Sequence, residues 1–267
     1  MVGRPAIGAR RQVWTAVGLI VVCCAVAACG SSSAGSSSSS PSKSTSIVAL
    51  GDSVPYGTNC DCRPYPPLTA DGLAKSSGQA ASAANDSVPG YTTSDVLHQL
   101  ASDNTVIDRV RTADVVEIEV GANDVAYSSS CGTAVDCYAP RIPTIEKNLA
   151  SIVSRVHELT SGHKALVVLL DYWSVWLGGQ FAAAHGDAYV AAAKTITEQV
   201  DTVIKSTASS TGSAYDDLRA AFKGPDYAYD ETHYLSSDGD HPNAAGHQQI
   251  ATAAVAVIER ALHLPTG

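Results

Sequence analysis

Three residue types that together perform nucleophilic catalysis occur next to apolar segments of this sequence. Ser53 follows the apolar run 46–50, and Asp238 lies three residues before His241 near the C-terminus. A serine hydroxyl becomes a nucleophile only when a base removes its proton, and histidine supplies such a base near neutral pH. A carboxylate can orient the imidazole and stabilise its cation. A turn over three residues can bring Asp238 back to one ring nitrogen of His241 while the other nitrogen faces Ser53.

Acyl transfer also needs hydrogen-bond donors for the oxyanion of the intermediate. The backbone N–H groups of Ser53 and Gly90 and the side-chain amide of Asn123 are candidates. Glycine lets the backbone approach a ligand closely, and an asparagine amide carries two N–H donors. Taken singly, these residues are typical of turns and helix caps. Their joint placement after apolar runs favours a catalytic site.

Strands and helices alternate along the chain and must position these residues. Because alternation implies a parallel sheet covered by helices on both faces, we expect one domain over residues 46–267. Sites in such sheets form at the carboxyl ends of the strands. The expected strands lie in 46–50, 80–85, 114–120, 164–170 and 213–216, and three apolar stripes with helical period lie in 142–159, 189–204 and 250–262.

The motifs resemble those of the SGNH hydrolase superfamily, also called the GDSL esterases and lipases. The resemblance implies a three-layer α/β/α, flavodoxin-like fold and ester hydrolysis through an acyl-enzyme. It also implies Ser53 as nucleophile, His241 as base and Asp238 as its orienting residue, with Ser53, Gly90 and Asn123 as the oxyanion hole. The matching segments, spread over 46–262, are Gly51-Asp52-Ser53-Val54 (with valine for the usual leucine), Gly90, Gly121-Ala122-Asn123-Asp124 and Asp238-Gly239-Asp240-His241.

Two other kinds of site fit the sequence less well. An α/β-hydrolase nucleophile elbow needs Gly-x-Ser-x-Gly, and Pro55 occupies the position of its second glycine. The C-terminal histidines and aspartates lack compact metal-ligand spacing, so we expect neither a metal nor a cofactor. Asp240 competes with Asp238 for the orienting role, but a carboxylate adjacent to His241 is poorly placed for it.

Three aromatic residues follow the run 164–170 and should lie at the active edge of the sheet. Tyr172, Trp173 and Trp176 either wall an acyl or sugar pocket or simply pack beneath a loop. The sequence leaves both interpretations open.

The N-terminal segment indicates export. Residues 1–28 combine arginines with an apolar run, 13–28, that is shorter than the roughly 20 residues of a membrane span. The sequence Val26-Ala27-Ala28-Cys29 resembles the bacterial lipoprotein box, which implies lipid on Cys29; an ordinary signal peptide cut nearby is the alternative. The serine-rich segment 29–45 is typical of a flexible tether. We expect a lipoprotein on the outer face of the membrane, or a secreted protein.

Four cysteines remain in the expected domain: Cys60, Cys62, Cys131 and Cys137. An even number in an exported domain favours disulfides, with three possible connectivities. We favour a local Cys131–Cys137 bridge, with Cys60 paired to Cys62 or free. Zinc is the alternative, although the spacings are unlike those of zinc fingers.

Composition limits the partners. With 45% apolar and 16% charged residues the chain is too apolar to be disordered, and its net charge of −9 argues against nucleic acid. We expect a monomeric serine ester hydrolase acting on small-molecule, lipid-like or acetylated-glycan esters. An acyltransferase using the same site, or a non-catalytic ligand-binding lipoprotein, is the alternative. A matched Ser53, His241 and Asp238 argue against mere binding.

Overall fold

A computed structural model describes residues 44–264 of the 267-residue chain. The predicted signal peptide, the lipid on Cys29 and the tether as far as residue 43 lie outside the described residues and stay predictions. Thr45, assigned to the tether from sequence, instead begins the first strand and is in register with Ala81. Among the described residues, none of the helices is long and apolar enough to span a membrane.

Five parallel strands form one sheet, which confirms the predicted α/β class. The order across the sheet is β2-β1-β3-β4-β5. Three strands coincide with the continuous apolar runs 46–50, 114–120 and 164–170, as strands covered on both faces require, and the other two lie in the weaker predicted segments 80–85 and 213–216. The strands are β1 Thr45–Gly51, β2 Ala81–Asn85, β3 Val115–Glu119, β4 Leu166–Leu170 and β5 Ala214–Asp216.

Helices cover both faces of the sheet. The three predicted helical stripes correspond to α5, α7 and α9, the last two being longer than their stripes. Helices α2 and α9 pack together over one face, while α3, α5 and α7 cover the other. The helices are α1 Ser53–Tyr56, α2 Tyr65–Ser77, α3 Thr93–Ser102, α4 Asn104–Arg111, α5 Ile142–Leu159, α6 Gly179–Ala183, α7 Asp187–Thr211, α8 Leu218–Lys223 and α9 Ala244–Leu262.

The strand order opens a crevice at one edge of the sheet. The chain passes from β1 to β2 on one side and then returns to β3 on the other side of β1. The connections that leave β1 and β3 therefore diverge, and the crevice lies at the carboxyl ends of these two strands. The segments that carry Ser53, Gly90 and Asn123 follow β1, β2 and β3, and the segment that carries Asp238 and His241 follows β5.

The cysteines form two local disulfides, Cys60–Cys62 and Cys131–Cys137, with Cα atoms 5.0 and 5.7 Å apart. The favoured Cys131–Cys137 pairing is therefore present. Of the two states left open for Cys60, the structure shows the bridge to Cys62.

Candidate active site

Ser53 lies on a tight turn between β1 and the short helix α1. Gly51 has φ of +152°, and a Cβ atom there would lie 2.1 Å from the carbonyl oxygen of Glu119. Only glycine lets β1 end this close to β3, where the Asp52 N–H donates to the Glu119 carbonyl (3.2 Å). The Asp52 carboxylate caps α1 by accepting from the Val54 N–H (3.0 Å). Ser53 is consequently the first residue of a capped turn above the sheet.

Asp238 and His241 are joined by a side-chain hydrogen bond within one loop. His241 Nδ1 lies 2.7 Å from Asp238 Oδ2, so the three-residue turn brings carboxylate and imidazole together. Asp238 Oδ1 accepts from the backbone N–H groups of Asp240 and His241, both at 3.1 Å. Asp240, the competing carboxylate, lies 4.0 Å from His241 Nδ1. The geometry therefore favours Asp238 as the orienting residue.

Asp238 also accepts a hydrogen bond from the side-chain amide of Asn59, on the loop that follows α1. Partial burial raises the pKa of Asp238, but the hydrogen bonds from Asn59 and His241 outweigh it and lower the pKa from 3.8 to about 2. Asp238 is thus a carboxylate over the whole neutral range. Sequence reasoning does not single out Asn59. The one feature of the sequence that could have drawn attention to it is its position next to Cys60, in the segment that follows Ser53.

Ser53, Asn123 and His241 line one cavity of about 310 Å³. No hydrogen bond joins Ser53 Oγ to His241 among the contacts of the described residues. Asp238 lies behind His241 and is not part of the cavity lining. Gly90 is also outside the lining, in a turn next to Tyr91. The structure therefore brings Ser53, His241 and Asn123 to one cavity, while Asp238 reaches that cavity only through its contact with His241.

The three candidate oxyanion donors have N–H groups available. Neither the Ser53 nor the Gly90 backbone N–H has an acceptor among residues 44–264. The Asn123 amide donates one N–H to the Tyr91 carbonyl (3.0 Å), which links it to the Gly90 turn and leaves its second N–H unused. Asp124 fixes this turn against α3, because its carboxylate accepts from the Thr93 N–H (2.9 Å) and hydroxyl (2.7 Å).

The aromatic residues after β4 both line the cavity and pack in the core. Trp176 donates its indole N–H to the Val125 carbonyl (2.8 Å), and Trp173 stacks on Phe222 with ring centroids 4.2 Å apart. Tyr172 donates its hydroxyl to Asp52 (2.7 Å). The two interpretations of these residues are therefore compatible. Sequence reasoning missed three further lining side chains, Tyr127, His185 and Tyr189.

Buried carboxyl groups lie directly beneath the site. Burial raises the pKa of Asp52 to about 6, although hydrogen bonds from Tyr172 and the Val54 N–H oppose the rise. On β3, Glu117 and Glu119 are fully buried. Burial, with the nearby charge of Asp216 as a second cause, raises the pKa of Glu117 from 4.5 to about 8, and burial raises that of Glu119 well above its usual value. Glu117 therefore holds a proton at neutral pH, and the rise in the pKa of Glu119 has the same direction.

One group of side chains in the described part of the chain has the proximity needed for a metal. Ligand atoms of Cys60, Cys62 and His247 lie within 4.8 Å of one another. Both sulfur atoms are joined in the Cys60–Cys62 disulfide, so the thiolates that a zinc ion would need are already used.

Comparison with known proteins agrees with this architecture. The model of the GDSL-like lipase/acylhydrolase family matches residues 49–249. No curated protein matches the chain.

Similar solved structures have the same fold at low identity. The lipase Lip_vut3 from a goat rumen metagenome is 20% identical with a TM-score of 0.62, over 80% of this chain and 97% of that one. TesA is 19% identical with a TM-score of 0.57, over 81% and 99%. The acetylxylan esterase Axe2 from Geobacillus stearothermophilus is 20% identical with a TM-score of 0.58, over 80% and 94%. Catalytic mutants of that esterase replace a serine or a histidine by alanine.

Proposed function

The chain belongs to the GDSL-like lipase/acylhydrolase family and is a carboxylic ester hydrolase, and we propose that it works through an acyl-enzyme on Ser53. The observation that carries this proposal is the 2.7 Å contact between Asp238 Oδ2 and His241 Nδ1. It leaves Nε2 of His241 as the nitrogen available to Ser53 in the shared cavity. The Geobacillus esterase supports the assignment, since its catalytic mutants also replace a serine and a histidine.

The proposed reaction has two proton-transfer cycles. Ser53 Oγ attacks the ester carbonyl carbon while His241 takes the hydroxyl proton, and Asp238 stabilises the imidazolium. The N–H groups of Ser53, Gly90 and Asn123 hold the oxyanion. His241 then returns the proton to the departing alcohol oxygen as the C–O bond breaks. Water repeats the sequence on the acyl-enzyme, which releases the acid and restores Ser53.

The cavity lining supports uncharged esters as substrates. Most lining side chains are apolar or aromatic, and besides His241 and the tyrosines the ionisable ones are the acids Asp52 and Asp240 and the imidazole of His185. A negatively charged substrate would be repelled by Asp240, which lies 4.0 Å from His241. A volume of about 310 Å³ is at the small end for ligand pockets, which favours short acyl groups.

Acetylated glycans are a second candidate substrate class. Tyr127 lines the cavity and is 48% exposed, and its ring packs edge-on against Trp176 with centroids 5.1 Å apart. An exposed aromatic face of this kind can stack on a sugar ring. The similarity to an acetylxylan esterase supports this class. Activity on a panel running from acetylated sugars to long-chain lipid esters distinguishes the two classes.

The proposal is tested at the nucleophile. Ser53→Ala should abolish covalent labelling by a fluorophosphonate and reduce short-chain ester hydrolysis to background. Ser129→Ala, an exposed serine that does not line the cavity, is the matched control and should keep both. Wild-type hydrolysis by Ser53→Ala would refute the assignment.

We also propose that the enzyme is anchored through lipid on Cys29, a residue outside the described range. After loss of residues 1–28 the chain carries 14 basic and 26 acidic side chains, so electrostatic attraction would not hold it to an anionic membrane. Cys29→Ala should move the protein from the membrane to the soluble fraction. Retention in the membrane fraction would show that another anchor exists.

A further inference from the structure

We infer that Asn59 is a positioning residue that fixes the carboxylate of Asp238 against His241. This inference rests on the proposed function, since it concerns the same three catalytic residues. Asn59 donates its amide N–H to Asp238 Oδ2, the oxygen that also contacts His241 Nδ1 at 2.7 Å. The two residues are 179 positions apart, so the contact joins two separate segments of the chain.

The remaining contacts of Asp238 come from its own loop. Oδ1 accepts from the backbone N–H groups of Asp240 and His241, which lie two and three residues further along the chain. These bonds hold the carboxylate within its own turn, residues 238–241. The turn is also held at its backbone, where the Gly178 N–H donates to the Gly239 carbonyl (2.8 Å). Asn59 is the residue from another segment that fixes the Asp238 carboxylate itself, through Oδ2.

The segment that carries Asn59 is anchored at the nucleophile. The N–H groups of Gly57 and Thr58 donate to the carbonyl of Ser53 at 3.1 and 3.0 Å. Two residues further on, the Cys60–Cys62 disulfide closes the loop. Asn59 itself has φ of +58°, in the left-handed region that asparagine tolerates better than most residues. Its amide is therefore presented by a backbone connected directly to Ser53.

A second contact between these two segments runs through the backbone. The Ser236 hydroxyl donates to the Asn59 carbonyl (3.1 Å), and the Ser236 N–H donates to the His241 carbonyl (2.8 Å). Asn59 thus meets the loop of Asp238 and His241 with both its side chain and its carbonyl. The arrangement is that of a bridge between the nucleophile and the acid–base pair.

The hydrogen bond from Asn59 also partly neutralises the negative charge on Asp238 Oδ2, the oxygen that contacts the imidazole of His241. When this donor is lost, Asp238 should attract the imidazolium more strongly, which predicts a displacement of the acid limb of the pH–rate profile to higher pH. Three other titratable groups interact with His241: Asp240, Asp52 and His247. These three residues are the same in every variant below, so a difference between variants in the acid limb of the pH profile reports on Asn59.

The experiment compares two glycine substitutions in the same loop. Asn59→Gly removes the amide while keeping a backbone that accepts positive φ. Asp61→Gly is the matched control, because Asp61 is also exposed with φ of +50° but makes no contact with Asp238. Asn59→Asp replaces the donor by an isosteric acceptor and carries the test if Asn59→Gly fails to fold.

Loss of one hydrogen bond to a charged group predicts a fall in kcat of about 10-fold for Asn59→Gly. KM should change less than kcat, and the acid limb of the pH profile of kcat/KM should move to higher pH. Asn59→Asp should lower kcat further and move the limb further, because it places a second carboxylate beside Asp238. Asp61→Gly should behave as the wild type does.

Several outcomes would overturn the inference. One is a kcat for Asn59→Gly within twofold of the wild type. A second is a loss of kcat in Asn59→Gly while the acid limb of its pH profile stays where it is in the wild type. A third is an equal loss of kcat in Asp61→Gly. Either result would indicate that the substitution disturbs the loop as a whole. Ser53→Ala, assayed in parallel, separates the two proposals. If it is inactive, a wild-type-like Asn59→Gly refutes the inference alone, whereas an active Ser53→Ala refutes the proposed function and the inference with it.

Discussion

Glu117 should make the protein less stable as pH rises, and replacing it should reduce that dependence. The side chain is fully buried on β3, and burial raises its pKa from 4.5 to about 8. The folded protein therefore holds a proton that the unfolded chain has released above pH 4.5. Because the native state binds more protons than the unfolded state, stability falls as pH rises from 4.5 to about 8.

The loss of stability follows from the pH interval between the two pKa values of Glu117, 4.5 in the unfolded chain and about 8 in the folded protein. Each pH unit costs about 1.4 kcal/mol of unfolding free energy for one such group, or roughly 4 kcal/mol between pH 5 and 8. That sum is an upper limit, because buried sites relax when they ionise. At about 2–4 °C per kcal/mol for a domain of this size, Tm should fall on the order of 10 °C from this residue alone.

Glu117→Gln tests this reasoning through the slope of Tm against pH rather than through the absolute stability. The amide places N–H donors where neither carboxyl oxygen of Glu117 has a hydrogen-bond partner within the described residues, which costs about 1–3 kcal/mol at every pH. Thermal unfolding followed by circular dichroism from pH 5 to 8 should show a shallower fall of Tm in Glu117→Gln than in the wild type. Glu146→Gln, at an exposed position on α5, is the control and should keep the wild-type slope. Parallel curves for wild type and Glu117→Gln would refute the assignment of a buried proton to this residue.

Two further substitutions test the machinery around Ser53. Asn123→Ala should lower kcat about 10²–10³-fold with a smaller change in KM, the usual scale for one lost oxyanion donor, and an unchanged kcat in steady-state assays would remove Asn123 from the hole. Tyr172→Phe deletes the hydroxyl that donates to Asp52 at 2.7 Å, and urea unfolding should show a loss of about 1.5–3 kcal/mol at pH 8. The loss should be smaller at pH 5, below the pKa of about 6 of Asp52, and equal losses at both pH values would contradict a charged acceptor.

The sheet was predictable because its strands are covered on both faces. Continuous apolar runs are what such strands require, and the run 114–120 was recognised as β3 although it contains Glu117 and Glu119. Their burial was not predictable. Glutamate side chains are almost never fully buried unless they are paired, and here α2 and α9 pack together over the sheet and leave both glutamates without solvent contact.

The candidate site was predictable as far as its motifs extend. Ser53, Asn123 and His241 meet at one cavity because each follows a strand of the same parallel sheet. The Asn59–Asp238 contact was not predictable, because nothing local in the sequence marks residues 179 positions apart as partners. The hydrogen bond from Tyr172 to Asp52 was missed for a similar reason: an aromatic residue near a strand end indicates a pocket wall, and its polar partner depends on the fold.

The direction of β1 decides how the enzyme can be attached to a support. Its seven residues begin at Thr45 and end two residues before Ser53, so the strand separates them by roughly 20 Å. A support joined directly at Thr45 is attached at the end of the sheet opposite the cavity mouth. Such a linkage should leave the entrance facing outward, whereas coupling near the loop after α1 should block it.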